Sequence, residues 1–364
     1  HAPFAAEVEA KVVKEFAIKF GYSQLDSDGV FATGGNEANQ TAVLCALNNK
    51  YPNYACDGLF GVTKRPIIFC SEEAHHSVHK AAKTAGLGYE CVISIPVDDK
   101  LKLETKLLEK EIQAVIASGH DPLMVVGTAG TTGAGTIDDL VRIGEISKMY
   151  NIWFHVDAAY GGGAILSTKL KKKIKGIELS NYITFDAHKW MSIPMGASIF
   201  LTSNPHILTQ TFSISTEYMP KDADGLEIVD PFSHSIQWSR RFVGLKVYLS
   251  LLFYGWDGYD QVISNQSVMG DLLRQKLINN GWSIMNNSAL PVVCFMDEKY
   301  SSDINFTKVI LERVYQKSQS WISVYPIKNV NTFRACISNY NTTEDDLDKL
   351  VCELNLERKY YSDE

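Results

Sequence analysis

Seven short apolar runs alternate with helical patterns along the N-terminal part of the chain, near residues 30, 68, 92, 125, 154, 184 and 199. The runs are rich in β-branched and aromatic residues, which is typical of buried strands. Strands that alternate with helices form a sheet that is enclosed between helical layers. The pattern therefore predicts a seven-stranded, mostly parallel or mixed α/β sheet with helices on both faces.

Two of these predicted strands are each followed by an ionisable residue. The run Ile152 to Val156 ends at Asp157, and the run Tyr182 to Phe185 leads to Lys189. Ligand sites of open α/β sheets lie at the carboxyl ends of the strands. A lysine for a Schiff base and a carboxylate beside the pyridine nitrogen are what pyridoxal phosphate requires. Taken singly, the lysine also fits a solvated loop and the aspartate a helix cap.

Two further segments at this edge suit an anion. The residues Gly34, Gly35 and Asn36 join a strand to a helix that extends to about Lys50. Glycines let the backbone approach closely, and the free N–H groups of a helix start favour a phosphate. The small-residue loop Thr128 to Gly135 contains hydroxyls, including that of Thr131, that suit a phosphate or ring substituents. Both segments also fit ordinary turns.

Composition excludes several other classes of protein. The 364 residues have a formal net charge of −7, which argues against nucleic acid as a partner. The lysine-rich run at 169–175 fits a solvated helix face. Seven scattered cysteines without a CxxC pair indicate neither a zinc site nor a disulfide framework, and they fit a reducing cytoplasm. No apolar run reaches the roughly 18 residues of a membrane span.

The motifs HVDAAY, which contains Asp157, and DAHKW, which contains Lys189, occur in this order. With them the chain resembles the group II pyridoxal-phosphate-dependent amino acid decarboxylases along almost its whole length. The resemblance implies a fold type I architecture, a homodimer, and a small C-terminal α/β domain. We expect an N-terminal helix at 1–20, a large cofactor domain at 21–257 and a small domain at 258–364. The helical segment that precedes this region in the family is not part of this chain.

The resemblance also implies site residues. Lys189 holds the cofactor, Asp157 pairs with its ring nitrogen, and His75 stacks on the ring. Tyr218, in a loop at 211–236 that closes over the site, protonates the substrate carbon. Asp186 departs from the asparagine of some relatives, and we assign it no phosphate role. The remaining expected cofactor contacts are Gly34, Gly35, Asn36, Thr131, Ala159, His188 and Ser239.

The implied reaction is α-decarboxylation of an L-amino acid, with an aromatic or imidazole side chain preferred. Alternatives are a decarboxylase of 2,4-diaminobutyrate or another polar amino acid, and an inactive regulatory homologue. A fold type I aminotransferase is a further alternative, in which Arg334 clamps the substrate carboxylate. The ordinary interpretation of Arg334 is a structural ion pair. His75 and the tyrosine-bearing loop favour decarboxylation over transamination.

Overall fold

The computed structural model describes residues 2–214, 230–317 and 320–363. Its larger sheet has seven strands in the order β1-β7-β6-β5-β4-β2-β3. Strand β7 runs antiparallel to both of its neighbours, and the other pairings are parallel. This confirms the predicted mixed sheet. The strands are β1 Asp28–Ala32, β2 Pro66–Ser71, β3 Val92–Ile95, β4 Asp121–Thr128, β5 Trp153–Asp157, β6 Tyr182–Asp186 and β7 Ser198–Thr202.

Helices cover both faces of this sheet, as the strand–helix alternation predicts. Strands β2, β6 and β7 are buried along their whole lengths, which explains their continuous apolar character. The helices of the described residues are α1 Pro3–Lys19, α2 Gly35–Lys50, α3 Tyr54–Asp57, α4 Ser77–Thr84, α5 Thr105–Ala117, α6 Leu140–Tyr150, α7 Ile207–Phe212, α8 Gly244–Asn279, α9 Phe306–Lys317 and α10 Glu344–Asp363.

A smaller antiparallel sheet lies in the C-terminal region, with the strand order β10-β11-β9-β8. It has its own hydrophobic core, which includes Trp282, Phe295 and Phe333. The sequence patterns predicted only β9 and β11. Strand β8 is two residues long, and the proline in β10 is typical of an edge strand, so neither produces a clear alternating pattern. The strands are β8 Ser283–Ile284, β9 Val292–Met296, β10 Ser323–Ile327 and β11 Val330–Cys336.

Some predicted boundaries differ from the structure. The long helix expected from Ser239 begins at Gly244, and it continues through a kink at Gly255, whose φ is +63°. The division proposed at residue 257 thus falls inside α8. The lysine run forms a short 3₁₀ segment, Lys171–Ile174, rather than a regular helix face, and Gly176, whose φ is +98°, turns the backbone away from a helical path directly after the run. Among the described residues, every helix is too short or too polar to cross a membrane.

Candidate active site

The carboxyl ends of β5 and β6 bring Asp157 and Lys189 to one cavity of about 120 Å³. The two strands are parallel neighbours in the centre of the larger sheet, so the residues that follow them lie at the same edge. The sequence-predicted residues Gly35, Asn36, His75 and Ala159 line the same cavity. The rest of its lining comprises Asn39, Ser77, Thr128, Gly130, Thr132, Tyr160 and Asp186.

Asp157 has a fixed orientation in this cavity. Its side chain is buried, and the residue is 6% exposed. The backbone N–H of Ala159 donates to Oδ1 across 3.1 Å, and the amide of Asn39 donates to Oδ2 across 2.9 Å. Both carboxylate oxygens therefore accept hydrogen bonds from the protein, an arrangement that suits the ionised form.

Lys189 faces a second buried carboxylate. Its Nζ lies 3.0 Å from Oδ2 of Asp186, which is 2% exposed. The hydroxyl of Ser198 donates to the other oxygen of Asp186 across 2.5 Å. The sequence assigned Asp186 no phosphate role, and the structure brings it into the cavity beside Lys189. The imidazole of His188 does not line the cavity; its Nε2 lies 3.8 Å from Asp186.

The turn at Gly34 and Gly35 has the geometry of an anion seat. Gly34 precedes α2 in an extended conformation, so Gly35 and Asn36 are the first helical residues, whose N–H groups have no intrahelical partner. A Cβ atom on Gly35 would lie 3.0 Å from the carboxylate of Asp186. The glycine turn suits the phosphate of pyridoxal phosphate, the nearby Lys189 suits its aldehyde, and the buried carboxylate of Asp157 suits its ring nitrogen. The residues present thus fit this cofactor.

His75 is exposed at the edge of the cavity, immediately before α4. The backbone N–H of Ser77 donates to its Nδ1 across 3.1 Å, which fixes the orientation of the imidazole ring. An exposed ring at this position is accessible to a ligand in the cavity.

Two other predicted site residues, Thr131 and Ser239, do not line the cavity. Thr131 is buried, and its hydroxyl accepts a hydrogen bond from the N–H of Thr136 across 3.0 Å, so it braces its own loop. Its neighbour Thr132 lines the cavity instead. Ser239 lies in a different cleft, beside Phe242 and the start of α1. Tyr218 lies outside the described residues.

The small sheet braces the loop that follows β4. The Nε atom of Arg334 donates to the carbonyl of Gly133 across 2.9 Å. The ring of Tyr325 occupies the space where a Cβ on Gly133 would be, and its hydroxyl bonds to Glu73. In the described part of the chain no carboxylate pairs with Arg334, so the structural ion pair expected for it is wrong. A carbonyl of the glycine-rich loop satisfies its Nε instead.

Sequence reasoning missed two buried polar residues that hold this edge together. Asn39, in the second turn of α2, bonds to Asp157, Ser77, His155 and Thr184. Asp138 accepts from the N–H groups of Thr128 and Leu103, each across 2.8 Å, and burial raises its pKa to about 6. The one sequence signal for Asn39 is its spacing. It lies three residues after Asn36, on the same face of the helix.

A family model described as the pyridoxal-dependent decarboxylase conserved domain matches residues 1–297. The chain belongs to the pyridoxal-dependent decarboxylase family. This confirms the resemblance that HVDAAY and DAHKW indicated, and pyridoxal phosphate is the cofactor that the family requires.

Two curated relatives and one solved structure illustrate the similarity. The chain is 33% identical to an L-aspartate decarboxylase of Metarhizium robertsii over 264 residues, which are 72% of this chain and 52% of that protein. It is 27% identical to an aromatic-L-amino-acid decarboxylase of Bacillus atrophaeus, with 96% of this chain and 72% of that protein covered. The crystal structure of mouse CSAD in the apo form superposes with a TM-score of 0.91 at 26% identity, covering 98% of this chain and 76% of that one.

The chain thus spans about half the length of the aspartate decarboxylase. The similarity to mouse CSAD extends over the whole described fold and confirms the predicted fold type I architecture.

Proposed function

We propose that the protein catalyses the α-decarboxylation of an L-amino acid, releasing CO₂ and the corresponding amine. The observation that carries the proposal is that the amine of Lys189 and the carboxylate of Asp157 open into one cavity beside the start of α2. Pyridoxal phosphate supplies an electron sink for the bond that breaks. Membership of the decarboxylase family supports this reaction over transamination.

Each polar group of the cavity has a role in this proposal. Lys189 attaches the cofactor through its amine. The ionised carboxylate of Asp157 holds a proton on the ring nitrogen by charge pairing. The N–H groups at Gly35 and Asn36 bind the phosphate, and the imidazole of His75 covers one face of the ring. Tyr218 donates the proton that replaces CO₂ on the substrate carbon, a role that rests on the family resemblance alone.

Asp186 has a role that the sequence did not suggest. Before the cofactor arrives, its buried carboxylate pairs with Lys189 and keeps the amine inside the cavity. The hydroxyl of Ser198 donates to the other oxygen of Asp186 and would still do so with Lys189 attached to the cofactor. We propose that Asp186 orients Lys189 and does not bind the phosphate, which it would repel.

Two substrate classes are the leading candidates. The sequence favours an aromatic or imidazole side chain, and the name of the Bacillus atrophaeus relative supports an aromatic one. The name of the Metarhizium robertsii relative, whose matched segment is more similar, supports L-aspartate. A panel of L-tyrosine, L-tryptophan, L-histidine, L-aspartate and L-2,4-diaminobutyrate, assayed for CO₂ and amine, separates them. If CO₂ is released from none of these while amino groups pass to a 2-oxo acid, the protein is an aminotransferase.

Covalent attachment gives a test of the site that does not depend on the substrate. The protein is saturated with pyridoxal phosphate, reduced with borohydride, digested and mapped by mass spectrometry. The adduct is expected on Lys189 in the parent and to be absent in Lys189→Ala. The exposed Lys172 serves as the control, because Lys172→Ala should leave the adduct unchanged. An adduct on any other lysine of the parent contradicts the proposal.

We also propose that the protein acts as a homodimer in the cytoplasm. Several large apolar side chains are exposed on and near α8, which is typical of an interface. They include Phe4, Trp238, Leu249, Leu252 and Phe253. A fully active monomer in sedimentation velocity contradicts the proposed dimer.

A further inference from the structure

Asn39 lies at the centre of a buried hydrogen-bond network between the two halves of the cavity. It is 3% exposed and contacts the cavity from the second turn of α2. Its Nδ2 donates to Asp157 across 2.9 Å and to Ser77 across 2.8 Å. Its Oδ1 accepts from the hydroxyl of Thr184 across 2.8 Å and lies 2.8 Å from Nε2 of His155. The full hydrogen-bonding capacity of the amide is therefore used.

Only one orientation of this amide satisfies all four partners. A carboxylate accepts hydrogen bonds and donates none, so the amide nitrogen must face Asp157. The amide oxygen then faces His155, whose Nε2 must carry a hydrogen. Burial lowers the pKa of His155 to about 4, against the opposing effect of the Asp157 carboxylate, so the ring is neutral at pH 7. The neutral ring with hydrogen on Nε2 thus matches the amide oxygen of Asn39.

The network joins two residues that line the cavity from different parts of the fold, Asp157 and His75. Through Asp157 it reaches the end of β5, and through Ser77 it reaches the turn that holds His75. In the described part of the chain Oδ2 of Asp157 accepts its side-chain hydrogen bond from Asn39, and without that amide the N–H of Ala159 alone would hold the carboxylate, through Oδ1. We propose that Asn39 is a positioning residue that fixes the ionised carboxylate of Asp157 and the His75 turn in one relative arrangement.

Two variants test this role: one adds a negative charge at position 39, and the other moves the charge of Asp157 to that position. In Asn39→Asp two carboxylates face each other at hydrogen-bond distance, so they stay together only while they share a proton. A proton shared by the two carboxylates replaces the hydrogen bond of the parent. When this proton is lost as the pH rises, the two negative charges repel each other. The other titratable groups around this pair are His155 on β5, His75 before α4, Tyr160 after β5, and Asp186 and Lys189 after β6.

The double variant Asn39→Asp/Asp157→Asn restores a single charge and reverses the donor. The amide introduced on β5 would donate to the carboxylate introduced on α2, and the second oxygen of that carboxylate would accept from His155 and Thr184. The hydrogen bonds of the network are then formed again. The carboxylate, however, is now on α2 instead of β5, and the residue at position 157 can no longer pair with the ring nitrogen of the cofactor. In this variant the Tm should therefore return to the parent value while the binding of pyridoxal phosphate stays weak. If Asn39 only filled space, the second substitution would not restore the Tm.

The first measurement is the Tm of the cofactor-free protein between pH 5.5 and pH 8. Asn39→Asp should approach the parent at pH 5.5 and fall below it by at least about 3 °C at pH 8. The double variant should recover the parent Tm at pH 8. The control is Asn48→Asp on the same helix, because Asn48 donates only to the carbonyl of Leu44, and its difference from the parent should not depend on pH.

The second measurement is the Kd of pyridoxal phosphate at pH 8, which both Asn39→Asp and the double variant should raise by at least about tenfold relative to the parent. A Tm difference that is independent of pH, or a double variant no more stable than Asn39→Asp, overturns the inference. Only the part of the inference that concerns cofactor binding by Asp157 rests on the proposed function. If the expected Tm pattern appears but the parent itself does not bind pyridoxal phosphate, the positioning is supported and the proposed function fails.

Discussion

The amine of Lys189 and the carboxylate of Asp186 form a close pair, 3.0 Å apart, inside the cavity at the end of β6. The two residues are separated by three positions, and the turn after the strand brings them together. Asp186 also lies against the position where a Cβ on Gly35 would be. One buried carboxylate therefore adjoins both Lys189 and the proposed phosphate seat.

This relationship leads to a prediction for Asp186→Asn. Removing a negative charge close to the phosphate seat should tighten the binding of pyridoxal phosphate by at least roughly tenfold, because like charges within about 10 Å of each other repel by about 1.5 kcal/mol or more at an effective dielectric constant of about 20. The Kd is measured by cofactor absorbance in titrations of the purified protein. Asp271→Asn, at an exposed pair with Arg274, is the control and should leave the Kd unchanged. Weaker binding by Asp186→Asn would mean that the carboxylate helps to hold the cofactor.

A second prediction concerns Asp157→Asn, which keeps the shape of the side chain but removes its charge. The neutral amide cannot hold a proton on the ring nitrogen, so kcat should fall by about a hundredfold or more. Far-UV circular dichroism should match that of the parent. A variant that turns over at close to the parent rate contradicts the role of Asp157 in the electron sink.

A third prediction follows from the buried His155, whose pKa falls from an ordinary 6.5 to about 4 through burial. The folded state disfavours the protonated form of this ring. The stability that the neutral His155 ring contributes is therefore complete above pH 6.5 and is lost as the pH falls toward 4. The free energy of unfolding should drop across this window by up to about 3 kcal/mol through this group alone. In His155→Gln, which retains a donor toward Asn39, this part of the pH dependence should disappear.

Urea unfolding at pH 4.5 and pH 7 measures the difference. The control is His120→Gln, because His120 is exposed and should contribute no comparable pH dependence. If the parent and His155→Gln lose the same stability between the two pH values, His155 does not resist protonation in the fold.

The placement of Asp157 and Lys189 at one cavity could be predicted from the sequence, because strand ends carry local signals. Asp157 and Lys189 each follow an apolar run directly, and neighbouring parallel strands end at the same edge of a sheet. The glycine turn at Gly34 and Gly35 has an equally local signal. These predictions need the order of the elements but no side-chain packing.

The remaining contacts depend on packing between segments that are distant in sequence. Asn39 meets Asp157 and Thr184 only because α2 lies against β5 and β6, and no local pattern encodes that contact. Ser239 was expected near the cofactor, yet it lies in an irregular segment before α8, which begins only at Gly244, and it lines a different cleft. The pairing of Asp186 with Lys189 also requires the conformation of the turn, which the sequence motif alone does not specify.

The last prediction concerns Tyr218, which lies outside the described residues and whose role rests on the family resemblance. A phenol can donate a proton, whereas the phenylalanine ring of nearly the same shape cannot. In Tyr218→Phe the release of CO₂ should continue, because Asp157 and the cofactor drive that step. Protonation of the substrate carbon should slow by about a hundredfold or more, as is typical when a general acid is removed.

A substrate carbon that is not protonated in time is open to reaction with oxygen, which yields an aldehyde in place of the amine. The measurement is the ratio of amine to aldehyde per CO₂ released, for Tyr218→Phe and the parent, in air and under anaerobic conditions. The aldehyde fraction should rise in the variant only when oxygen is present. Tyr315→Phe, on α9 in the small domain, is the control and should match the parent. An unchanged ratio at an unchanged rate in Tyr218→Phe would mean that another group supplies the proton, with His75 as the next candidate because it lines the cavity.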